Sequence, residues 1–165
     1  MQFTIERTGV ELTKQEISDI RSAINETFVI VWAKFGGKYL SIYDQTGTIP
    51  VKTIKNMMTN DGYMAFNGAR VEGRCYMPFS ISVNNKNPRE YKLIRTNNCH
   101  YSYFVLVVCL ILKSLSSSVW KIKIKTEQRK YDYVVNWFKK QKGAFGYEDL
   151  FSAPGFSKGL SLELN

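Results

Sequence analysis

The chain has 165 residues, of which 44% are hydrophobic and 14% aromatic, and its formal net charge is +9. That length and apolar content suit one domain with a packed core and exclude a largely disordered chain. The charge draws the protein toward polyanions. Cys75, Cys99 and Cys109 are odd in number and spaced 24 and 10 residues apart, which fits neither a disulfide framework nor a zinc knuckle. A reducing, cytoplasmic setting is therefore expected. The opening residues lack the basic and apolar regions of a signal peptide, and the longest apolar run, Phe104 to Leu112, is far short of a bilayer span, so no membrane role is expected. Ile, Lys, Asn and Tyr supply 50 of the residues, a bias common in AT-rich genomes, those of phages and other viruses among them.

In chain order, Phe3 and Ile5 suggest a short strand. Thr13 and Glu16 form a capping-box pattern, Leu12 can staple to Ile17, and Ile17, Ile20 and Ile24 predict a helix over about 14–25. Phe28–Phe35 and Lys38–Tyr43 flank Gly36-Gly37 and predict a β-hairpin. Asp44 to Gly47 reads as a turn, Pro50 as the start of a short helix through Met58, and Asn60-Asp61-Gly62 as its end. Asn67-Gly68 predicts a second hairpin, between Tyr63–Phe66 and Ala69–Met77. Phe79, Ile81 and Val83 continue an alternating pattern, and Tyr91 to Arg95 reads as the next strand. Tyr101 to Leu115 fits either a buried strand or a buried helix, because periodicity does not separate the two in so apolar a run.

Val119 to Lys125 alternates Ile122 and Ile124 with Lys121, Lys123 and Lys125, a strand with one apolar and one basic face. Tyr131, Val134, Val135 and Phe138 give an amphipathic helix over about 127–141, which Gly143 can stop. The expected fold class is α+β, a largely antiparallel sheet with an N-terminal and a C-terminal helix. The domain spans 1–142. Residues 143–165, rich in Gly and carrying Phe145, Tyr147, Phe151 and Phe156, read as an arm docked on the domain or on a neighbour; the simpler expectation is a coil on its own core.

Charge is unevenly spread. Residues 31–142 carry net +13, whereas 1–30 and 143–165 are each −2. The densest block is Val119 to Lys142: Lys121, Lys123, Lys125, Arg129, Lys130, Lys139, Lys140 and Lys142 face only Glu127 and Asp132. This strand–helix unit is the candidate nucleic-acid-binding surface, since lysine-rich faces neutralise phosphates and release counterions. Tyr101, Tyr103, Tyr133 and Trp137 lie near it in sequence and would stack on unpaired bases where exposed. The competing explanations are that alternating lysines keep an edge strand soluble and that basic residues near a helix C-terminus complement its dipole.

Catalytic signals are weak. His100 is the single histidine, able to serve as a general base but not to build a paired-histidine or multi-histidine metal site. Glu90-Tyr91-Lys92 has the Glu-x-Lys spacing of a nuclease metal site, for which only Asp44 or Asp61 offers the further carboxylate; in so charged a chain the tripeptide also arises by chance. Nucleophile-elbow, phosphate-loop and dinucleotide fingerprints are absent. No cofactor or metal is expected. The leading expectation is a basic protein that contacts RNA or DNA phosphates. The alternatives are a non-enzymatic inhibitor or assembly protein of phage or viral type, able to bind a small anionic nucleotide and to meet a protein partner or a second copy of itself through the C-terminal arm, and a small metal-independent enzyme acting on nucleotides or RNA.

Overall fold

The computed structural model describes residues 1–39, 42–59, 61–70, 76–97, 99–140 and 160–164. Its elements are β1 (Gln2–Arg7), α1 (Lys14–Tyr39), a 3₁₀ turn (Ile54–Met57), β2 (Tyr63–Phe66), β3 (Phe79–Ser82), β4 (Tyr91–Arg95), α2 (Tyr101–Leu115), β5 (Trp120–Thr126), α3 (Gln128–Lys140) and β6 (Leu160–Leu164). The fold is α+β, with a helix toward each end of the chain. A four-stranded sheet runs β4-β1-β5-β6, and β2 and β3 form a separate antiparallel pair. β1 is antiparallel to both of its neighbours, while β5 and β6 are parallel.

The alternation in β1 and β5 sets the two faces of the main sheet. Phe3, Ile5, Ile94, Trp120, Ile122 and Ile124 are buried on one side. Each such side chain contributes about 1.5–3 kcal/mol by leaving water. Over this side lies α2, twelve of whose fifteen residues are buried. It packs against β5, α1 and α3, and Phe104 carries the core on to Phe28 of α1 and Phe66 of β2, with ring centroids 5.9 and 5.1 Å away. The ambiguous run 101–115 is thus a helix: it is buried nearly all round, which is why its apolar residues show no stripe.

Two hairpin expectations are overturned. The helix that starts at the capping box does not stop near residue 25. Thr13 and Glu16 exchange both box hydrogen bonds, at 2.8 and 3.1 Å, and the helix then runs through Gly36-Gly37 to Tyr39. Ile20, Ile24, Phe28 and Val31 are buried and Val29 is exposed, a period near 3.6 rather than 2. Packing on α2 outweighs the β propensity of Phe28–Val31. Asn67-Gly68 does not close a tight hairpin either. β2 pairs with β3, Phe66 opposite Phe79, because those two rings stack at 4.8 Å in the core. Residues 71–75, Cys75 among them, lie outside the described residues. The helix expected from Pro50 is reduced to the 3₁₀ turn.

β4, β5 and α3 fall where the pattern places them. Of the C-terminal arm, residues 160–164 are a strand rather than coil: β6 pairs with β5, Ile122 opposite Leu160 and Thr126 opposite Leu164. Residues 141–159, with Lys142, Gly143 and most of the aromatic arm, lie outside the described residues.

Candidate nucleic-acid interface

The face of the main sheet away from α2 carries Lys121, Lys123 and Lys125, all exposed. Their strand is interior, flanked by β1 and β6, so these lysines do not serve to block edge pairing. Strand register places a row of side chains across each of them. Lys121 is opposite Glu6, which is opposite Tyr91; Lys123 is opposite Thr4, and Thr4 opposite Leu93; Lys125 is opposite Gln2, and Gln2 opposite Arg95. Tyr91 is 63% and Leu93 36% exposed, and Arg95 is exposed as well. Beyond β5 the register sets Ser161 of β6 opposite Lys123 and Glu163 opposite Lys125; on β1, β4 and β5 this face presents four cations and one carboxylate. The carboxylate, Glu6, sits 3.4 Å from Lys121 Nζ, and both side chains are well exposed, so the pair holds each other weakly.

The helical half of the basic unit lies elsewhere. α3 is docked on α2 by the buried Tyr131, Val134, Val135 and Trp137, on the helical side of β5. Arg129 and Lys140 are exposed near opposite ends of that helix, about 16 Å apart along its axis. Lys130 is half-buried and ion-paired with Glu127 at 2.6 Å. Lys139 lies in α3, but its side chain is outside the described residues, as is that of Phe138. The strand and the helix thus do not present their charges on one face. Of the aromatic candidates, Tyr101 and Trp137 are core residues, and Tyr101 donates to the Met77 carbonyl at 2.6 Å. Tyr133 is exposed but belongs to α3, where it meets the half-buried Tyr103 edge-on at 6.3 Å.

The catalytic candidates are not brought together. Glu90 and His100 flank opposite ends of β4. Glu90 is buried: its Oε2 accepts the Ser82 backbone N–H at 2.8 Å, and Oε1 lies 3.4 Å from Lys92 Nζ. Beside it the buried Arg7 donates to the carbonyls of Asn84, Asn87 and Val10 and to Asn85 Oδ1. Burial weakens the hold of the Arg7 guanidinium on its proton, and the Glu90 and Glu11 carboxylates work against that effect. The arrangement ties β1 to the 84–90 loop, a structural task for both ions. Asp44 is engaged in its own turn, accepting from Thr48 and Ile49 N–H and from the Thr46 hydroxyl. Among the described residues no cluster of three or more His, Cys, Asp or Glu could hold a metal ion. His100 is exposed at the start of α2, and its side chain makes no capping hydrogen bond.

Sequence reasoning missed β4 and β1 as parts of this face. Tyr91, Leu93 and Arg95 alternate with Lys92 and Ile94, but Leu93 and Ile94 are equally apolar, so composition alone does not say which set looks outward. Among the described residues no helix is long and apolar enough to cross a membrane. The chain matches no family model, no curated protein and no solved structure, so no role is carried over from a relative.

Proposed function

We propose that this protein binds nucleic acid, with the β5 lysines contacting phosphates. The observation that carries this reading is the placement of Lys121, Lys123 and Lys125 on the exposed face of an interior strand, with Arg95 at the margin of the same face. An interior strand has no edge to protect, so edge protection does not account for three outward lysines in succession. Phosphate backbones are repeating anions, and neutralising them releases counterions.

Fluorescence anisotropy with labelled single-stranded and duplex oligonucleotides, at low and near-physiological salt, tests the reading. Affinity should fall steeply as salt rises, with a slope that counts the phosphates neutralised. Lys123→Glu together with Lys125→Glu should weaken binding at least tenfold without changing the thermal midpoint. Unchanged affinity in that double variant would sink the assignment of this face.

A further inference from the structure

The three rows across the sheet are chemically graded, and the grading points to a particular ligand. The outward column of β4 is Tyr91, Leu93 and Arg95; that of β1 is Glu6, Thr4 and Gln2; that of β5 is Lys121, Lys123 and Lys125. Neighbouring strands are about 4.8 Å apart, so the first and third columns are separated by about 10 Å. One column is aromatic and apolar apart from its terminal Arg95, the middle one is hydrogen-bonding, and the third is cationic, with Ser161 and Glu163 of β6 at the matching register positions beyond it.

A nucleotide has the same order of parts: flat base, hydroxylated sugar, anionic phosphate. We infer that this face binds single-stranded RNA, with bases over Tyr91 and Leu93, riboses against Gln2, Thr4 and Glu6, and phosphates along Lys121, Lys123 and Lys125. The inference rests on the phosphate-binding reading above and adds strandedness and sugar to it.

Two features favour this ligand over a duplex or DNA. Tyr91 is the most exposed of the large hydrophobic side chains among the described residues. An aromatic ring open on a sheet stacks with splayed bases, which a duplex keeps inside. The other feature is Glu6. A carboxylate in the middle of a phosphate-binding face repels phosphate, but it accepts a hydrogen bond from a hydroxyl, and only ribose offers a 2′-hydroxyl there.

The test compares three labelled probes of about twelve nucleotides, a length within single-strand site sizes: oligouridylate, oligodeoxyuridylate, and an RNA duplex of mixed sequence. Oligouridylate should bind tightest, with the duplex weakest. Tyr91→Ala should lower oligouridylate affinity about tenfold while leaving the salt slope unchanged, and Tyr91→Phe should retain it. Glu6→Ala should narrow the gap between the ribose and deoxyribose probes. Equal affinity for the two single strands would overturn RNA as the ligand. Equal affinity for all three probes with Tyr91→Ala silent, while the Lys123/Lys125 double variant still loses binding, would overturn this inference and leave phosphate binding standing. If none of the probes binds even at low salt, the reading of the lysine face falls with it.

Discussion

The Arg7 guanidinium lies over the indole of Trp120, 5.2 Å from the ring centroid, and the two residues are also paired across β1 and β5. The stack leaves the fork of Arg7 free to bridge the Asn84 and Asn87 carbonyls, the Val10 carbonyl and Asn85 Oδ1. Asn85 in turn fastens the chain before α1: Oδ1 accepts from Leu12 N–H and Nδ2 donates to Leu12 O, both at 2.8 Å. One buried cation thus joins the sheet, the 84–88 loop and the entry to α1.

Arg7→Ala should therefore destabilise the fold by about 3–5 kcal/mol, because several buried acceptors lose their donor and Glu90 loses its neighbouring cation. Arg7→Lys should recover only part, since an ammonium cannot span the same acceptors or stack on Trp120 as a plane. Urea unfolding followed by tryptophan fluorescence measures both. An Arg7→Ala variant as stable as the parent would show the network to be idle.

Glu90 separates structure from catalysis. If its task is to hold the Ser82 N–H and to face the cations of Lys92 and Arg7, Glu90→Gln, which keeps an acceptor but loses the charge, should cost about 1–3 kcal/mol. Oligonucleotide affinity should stay unchanged, because Glu90 lies on the inner side of the sheet. Thermal melts with millimolar magnesium or manganese should show no shift. A metal-dependent rise in midpoint that Glu90→Gln abolishes would instead revive the metal-site reading of Glu90 and Lys92.

Asp44 should set part of the acid limb of stability. Desolvation pushes its carboxyl up, but hydrogen bonds from Ile49, Thr46 and Thr48 outweigh it, and the net position is below the ordinary carboxylate value. A carboxyl depressed in the folded state contributes stability that is complete above its unfolded value, about pH 4, and is lost as pH falls through the folded value. Asp44→Ala should cost about 1 kcal/mol at neutral pH, in line with a side chain that caps backbone N–H groups. The gap between variant and parent should narrow as pH falls below the unfolded value, about pH 4. A gap that is constant from pH 7 to pH 2.5 would mean that the carboxylate charge plays no part.

Much of this was legible in the residues. Ile122 and Ile124 alternating with lysines marked β5 and both of its faces, and the Thr13–Glu16 box marked the start of α1 to the residue. Where the structure departs from the local pattern the cause is shared: a local signal does not contain the partner that decides it. Phe28 to Phe35 is β-prone in isolation, but α2, unassigned from its own sequence, supplies the apolar surface that keeps the segment helical. Leu160, Leu162 and Leu164 alternate with Ser161 and Glu163 as a strand should, and were hidden by the Gly- and Ser-rich stretch before them. The outer columns of β1 and β4 gain meaning only through the register that aligns them with the lysines.

The extension of α1 through Gly36 and Gly37 gives a sharp test of which local reading is right. In a helix each glycine is about 1 kcal/mol worse than alanine, through backbone entropy. In a two-residue hairpin loop the same glycines supply positive φ that alanine resists. Helix and hairpin therefore predict opposite signs for Gly36→Ala and Gly37→Ala. Successive helical positions point about 100° apart, so the two substitutions sample different directions around α1, and a clash at one does not extend to the other. At least one should raise stability by up to about 1 kcal/mol and increase helical circular dichroism. Loss of stability at both, with no gain in helical signal, would end α1 before Gly36 and restore the turn.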